Sequence, residues 1–238
     1  MVVNKIKKNF LSFFIMRWTM VVMEDVSVYA IDFEGSLQTG ILEYGIVGFT
    51  PREGIFFTET QLCKNRTAIP SNESACHGLC SESLEPYEDF SRHLDTFLNL
   101  RKKVLFCAHN AAFENRLLSD YCPIVPGAYT VPQIPTYQWG PWLDTWFLYR
   151  KYLKMQTCTV EQLIQFCNLS EILSQLSRKF CPGGRRKFHC ALFDALACAL
   201  LFLNFIRSEE ASEKNLLWLL QQSSPKDLSE DIKQQKLW

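Results

Sequence analysis

The chain has no net charge: 25 lysines and arginines balance 25 aspartates and glutamates. A protein that coats long duplex DNA non-specifically would be basic overall, so neutrality points to a short contact, such as a strand end held in a cleft. A paired Cys-x-x-Cys is also missing. The ten cysteines are scattered, several of them inside apolar stretches, where a free thiol behaves as a small hydrophobe. A structural zinc site is therefore not expected. Cys76-His77 with Cys80 comes nearest and lacks a fourth ligand. Reduced thiols fit a cytoplasmic protein. No apolar run reaches membrane length: the segment 190–206 is about 17 residues long, against the roughly 20 a span needs, so no membrane partner is expected. Near the start, Lys5, Lys7 and Lys8 precede an apolar run at 10–16, yet no small-x-small cleavage site follows. Residues 1–23 are read as a dispensable extension, with Met20 and Met23 as alternative starts just ahead of the first strand. There is no internal repeat.

What is present is enough for one α/β domain: 238 residues, 47% hydrophobic. The apolar run 26–30 leads into Ile31-Asp32-Phe33-Glu34-Gly35-Ser36. Read as a buried strand, it places Asp32 and Glu34 on one face, side by side at the rim of a sheet. Two carboxylates so close repel, and a hard divalent cation bound by oxygen resolves the conflict. Taken alone, Asp-x-Glu is common, and a solvated strand end accounts for it better.

Further along, periodicity predicts strands at 40–49 and 54–59, joined by a turn at Pro51-Arg52-Glu53-Gly54. Residues 64–84 read as a loop, 86–100 as a helix, 104–108 as a strand, and 111–120 as a helix. Residues 123–141 carry five prolines and two glycines and read as an irregular connection. Helices are expected at 142–153, 159–169 and 190–206, the last preceded by a basic, glycine-containing loop at 178–188. In 190–206 the only ionisable side chain besides the cysteines is Asp194. An unpaired carboxylate in such a helix is costly, by several kcal/mol, unless it is paired or bound to metal.

Three motifs now stand in order: Asp32-x-Glu34, then His109-Asn110-Ala111-Ala112-Phe113-Glu114, then His189-Cys190-Ala191-Leu192-Phe193-Asp194-Ala195. Together they resemble the DEDDh 3'-to-5' exonucleases, whose members include the proofreading epsilon subunit of bacterial DNA polymerase III, RNase T and oligoribonuclease. The resemblance covers about residues 26–206. Cys76-His77-Gly78-Leu79 is similar to the family's His-Gly-Ile segment, and Leu143-Asp144-Thr145 to the Asp-Thr that opens its following helix. The chain departs from the pattern at Glu114, where the family usually has Asp; the extra methylene keeps the charge but alters the reach.

The resemblance implies an α/β, ribonuclease H-like mixed sheet flanked by helices, the exonuclease fold, over residues 24–207; in the charged, polar stretch 208–238 that follows, the apolar cluster 216–220 reads as a short C-terminal helix before a tail. It implies two Mg2+ or Mn2+ ions held by Asp32, Glu34, Glu114 and Asp194, and His189 as the base that takes a proton from the attacking water. Gly35, Ser36, His77, Asn110, Phe113, Arg185 and Arg186, with Lys187, fall where substrate contacts are expected. DNA removal from a single-stranded 3' end, in proofreading or repair, is the leading expectation. An RNA 3'-to-5' exonuclease is the alternative, since the same acids serve both, and an inactive interaction module of the same fold is a third. Any polymerase partner would be a separate chain. The terminal Gln234-Gln235-Lys236-Leu237-Trp238 resembles peptides that bacterial replication proteins insert into the sliding clamp.

Overall fold

The computed structural model describes residues 23–125, 138–153 and 158–224. The expected extension (apart from Met23), most of the proline-rich connection and the clamp-like peptide at 234–238 lie outside the described residues. Five strands form one mixed sheet: β1 (Val28–Ser36), β2 (Gly40–Thr50), β3 (Gly54–Leu62), β4 (Leu105–Ala108) and β5 (Trp142–Asp144), in the order β3-β2-β1-β4-β5. β1, β2 and β3 form an antiparallel meander, as their tight connections require. β4 and β5 are added parallel to β1, which demands longer, helical crossovers.

Among the described residues the helices are α1 (Ser71–His77), α2 (Ser81–Leu84), α3 (Leu94–Arg101), α4 (Ala111–Tyr121), α5 (Thr145–Leu153), α6 (Val160–Phe166), α7 (Ser170–Phe180), α8 (Ala191–Ile206) and α9 (Leu216–Gln222). Several differ from the sequence expectation. The polar stretch 64–84 carries two short helices rather than a loop alone. Residues 142–144 are the edge strand β5, so the helix there begins only at Thr145. α7 was not anticipated. Its Leu169, Leu173, Leu176 and Phe180 recur at helical steps and pack on the core, but its polar residues outnumber them.

The period-two alternation of β1 divides the core. Val28 and Ala30 face one side, together with Val47, Phe49 and Cys107; α8 lies across them with Phe202 against Phe49 at 5.9 Å between ring centres. Ile31 and Phe33 face the other side, with Phe90, Phe97, Leu117, Leu118 and Trp142. Asp32 and Glu34 have the parity of Val28 and Ala30. They therefore continue the α8 side of the sheet to the end of β1. α8 is apolar on nearly every side because it is covered there: the sheet lies below it, and α5, α6 and α7 pack against it.

Candidate active site

Asp32 and Glu34 stand in β1 opposite Gly45 and Glu43 of β2, and the register slips immediately after Glu34. Gly35 takes the slip with φ of 124°; a Cβ there would come within 2.1 Å of the Gly40 carbonyl oxygen, so only glycine fits. Beyond it Ser36 closes the hairpin. Its hydroxyl accepts the Thr39 N–H at 3.1 Å, and its own N–H donates to Thr39 Oγ1 at 3.0 Å. Thr39 in turn donates to Glu73 of α1 at 3.1 Å. Ser36, expected to touch substrate, has its hydroxyl engaged within this turn.

Asp194 enters from the first turn of α8. Its Oδ2 accepts the backbone N–H of His189 at 2.7 Å, and its Oδ1, fully buried, has no partner. His189 is exposed and adopts φ of 62°, left-handed for a non-glycine residue. Glu34, His189 and Asp194 each offer a ligand atom within 4.8 Å of the other two.

Glu114 comes from α4. That helix begins after Asn110, which is buried and also left-handed, with φ of 74°. The Asn110 and Ala111 N–H groups donate to Asp144 at 3.1 and 2.9 Å, fixing how α4 leaves the sheet. Glu114 is buried, and its Oε2 has no partner. His109, beside it, is a packing residue: its ring bonds to Thr145 Oγ1 at 2.9 Å and the Cys158 carbonyl at 2.7 Å, and burial pushes its pKa down to about 4.

The four acids meet electrostatically. Burial, then Asp194, Glu34 and Glu114, hold the Asp32 carboxyl well above the usual range. Glu34 is raised by burial, Asp194 and Glu43, with Arg185 opposing. Burial also raises Glu114, and it pushes Asp194 up to about 7 despite the His189 N–H. Carboxylates that crowd together, bury their oxygens and leave two without donors form a donor set suited to hard divalent cations. Glu114 acts on this cluster through its charge; among the described residues the ligand atoms that come within 4.8 Å of one another are those of Glu34, His189 and Asp194.

The remaining expected residues fall in different places. His77, at the end of α1, is buried; its Nδ1 accepts the Leu79 N–H at 3.1 Å, which puts the ring proton on Nε2, and that nitrogen has no partner. Burial lowers its pKa. Asn110 Oδ1 is likewise buried without a partner. Phe113 is half-buried against the core on the far side of the sheet. Arg186 is exposed, with Nε donating to the Cys181 carbonyl at 3.2 Å, and Lys187 is exposed beside it. Arg185, expected to reach outward for phosphate, is instead turned inward onto buried Glu43 and the His77 carbonyl.

Two structural acids escaped the sequence reading as such. Glu43 sits in an apolar strand, where a lone acid is the available signal. Asp144 was noted only as an opener of α5; it also holds the start of α4.

A mixed sheet with β1 in its middle and acids gathered at the carboxyl end of β1 is the ribonuclease H-like fold of the exonucleases. No protein-family model matches the chain, and no curated protein sequence does. Solved structures share its fold. One is exonuclease X in complex with 5'-overhanging duplex DNA, at 19% identity and a TM-score of 0.53, with 79% of this chain and 96% of that chain covered. Another is a 3'-exonuclease that recognises the 3' end of the histone mRNA stem-loop, at 14% identity and a TM-score of 0.56, covering 78% and 83%. A third is E. coli exonuclease I bound to a dA16 oligonucleotide, at 10% identity and a TM-score of 0.55, covering 78% of this chain and 42% of that one. At these identities the likeness is one of fold.

Proposed function

We propose that the protein is a metal-dependent 3'-to-5' exonuclease that removes nucleotides from DNA 3' ends, of the proofreading or repair type. The observation that carries the reading is the mutually repelling acid cluster of half-buried Asp32 and buried Glu34, Glu114 and Asp194 beside an exposed histidine. A fold under no demand but stability satisfies or replaces such groups. Here they sit with two buried oxygens unpartnered, which argues against an inactive interaction module.

In this reading the four acids hold Mg2+ or Mn2+ ions. Those ions, when bound, lower the pKa of the attacking water and neutralise charge on the leaving 3'-oxygen. The chain's own groups do the rest. Asp32, on which Asp194, Glu34 and Glu114 all act, would be one of the residues that hold them. Asp194 fixes the segment before α8 by accepting the His189 N–H. The His189 imidazole, on the exposed side, takes the proton from water as general base. His77 Nε2–H and Asn110 Oδ1 are polar atoms left for substrate. Arg186 and Lys187 extend a basic rim for phosphates beyond the scissile one.

The fold is shared with a nuclease bound to DNA and with one that recognises an mRNA end, so RNA is a second substrate reading. The acids act on the same phosphate in either polymer; only contacts to the 2'-hydroxyl distinguish them. Hydrolysis of matched single-stranded DNA and RNA oligomers, with Mg2+ and with Mn2+, separates the readings. DNA is expected to be cut from its 3' end. Asp32→Ala is expected to abolish cutting with the fold intact, and normal cutting by that variant would sink the ligand assignment.

A further inference from the structure

β2 carries a buried carboxylate that the proposed chemistry leaves aside. Glu43 is 2% exposed and stands directly opposite Glu34, so the two side chains share the face covered by α8. Its oxygens are taken up from two directions. Arg185 donates through Nε at 3.2 Å and through Nη2, and the N–H of Ala191, the first residue of α8, donates to Oε2 at 3.1 Å. The third arm of the same guanidinium, Nη1, donates to the His77 carbonyl at 2.6 Å. Two residues along β2, Gly45 faces the same way. A Cβ there would lie 2.3 Å from the Ala191 carbonyl carbon, so the start of α8 rests directly on this strand.

His189 lies between the two anchored points, Arg185 before it and Ala191 after it. Its own backbone is left-handed, with φ of 62°, a conformation that is costly for a non-glycine residue and persists only when the flanking chain enforces it. We infer that Glu43 and Arg185 are a positioning pair that sets His189 against Glu34 and Asp194, and that Arg185 does not bind substrate phosphate. The inference rests on the nuclease reading. The planar fork of arginine can span two carboxylate oxygens and a carbonyl at once; a lysine ammonium cannot.

The test is steady-state hydrolysis of a single-stranded DNA oligomer across a salt series by the wild-type chain and by R185M, R185K and E43Q. R185M is expected to lower kcat tenfold or more, with KM and its salt dependence as in wild type. R185K is expected to recover little, because the charge returns without the fork. E43Q keeps an acceptor for the Ala191 N–H and is expected to fall between. A phosphate contact predicts the opposite: KM rises, kcat holds, and the slope of log affinity against log salt drops by about 1. That pattern, or wild-type kinetics in R185M, overturns the inference. Should R185M fail to fold, R185K is read by the same criterion. A wild-type chain that cuts no oligomer brings down the nuclease reading itself, and the assay shows this before any variant is made.

Discussion

Asp144 and Asp194 are the same residue type, similarly buried, at 1% and 8% exposure, and each stands at or near the start of a helix. Their surroundings differ in the donors that reach them. Asp144 accepts four backbone N–H groups: Trp146 at 2.9 Å and Phe147 at 3.4 Å from α5, and Asn110 at 3.1 Å and Ala111 at 2.9 Å from the start of α4. Asp194 accepts one, and its second oxygen is buried with none. Burial raises both, Asp144 to about 6, where four N–H groups restrain it, and Asp194 to about 7. The satisfied acid joins two helices to the sheet edge. The unsatisfied one is available for a ligand that the chain itself does not supply.

That contrast can be broken from either side. The largest effect is expected for Asp194→Asn, which removes charge from the cluster. Oligonucleotide cleavage should fall to background, while the melting temperature without divalent ions should rise, since a buried, unpaired charge has gone. A variant that loses both activity and stability would mean Asp194 is a structural residue like Asp144.

Next comes Asp144→Ala, which strands N–H groups at the starts of two helices. A destabilisation on the order of 3 kcal/mol is expected, or roughly 6–12 °C in melting temperature for a chain of this size. Denaturant unfolding measures it directly; a loss below about 1 kcal/mol would show that water replaces the carboxylate at little cost.

The smallest effect is a pH dependence. A carboxyl whose pKa is raised on folding binds its proton more tightly in the folded state, so it adds stability as pH falls through the folded value. With Asp194 at about 7, and Asp32, Glu34 and Glu114 also raised, the metal-free protein should become more stable between pH 8 and 6.5. Below that window His109, held down to about 4, opposes the trend, because it must be protonated in the unfolded chain first. Saturating Mg2+ should flatten the 8 to 6.5 slope by favouring the ionised acids, and Asp194→Asn should reduce it. Thermal melts at both pH values, with and without the ion, check this; a slope of opposite sign in the metal-free protein would refute the burial argument.

Much of this was legible in residue order. Apolar runs bounded by turn residues marked β1 to β3, and the near absence of charge in 190–206 marked α8 and singled out Asp194. Parity along β1 put Asp32 and Glu34 on one face. Other elements were not legible. Trp142 and Leu143 resemble the start of a helix, and only pairing with Phe106 and Cys107 makes them β5. α7 was hidden because its polar residues outnumber the few apolar ones that dock it. Arg185 in a basic loop looks solvated, and nothing local to it points to Glu43, 142 positions away.

Sequence by itself determined β1 to β4, the apolar helix α8 and the cost of leaving Asp194 unpaired, because these follow from local periodicity and from the cost of burying charge. Only the tertiary structure decided which acid is quieted and which is left exposed to chemistry. That depends on donors from distant segments: four N–H groups converge on Asp144, an arginine and a helix start converge on Glu43, and Asp194 receives a single N–H from His189.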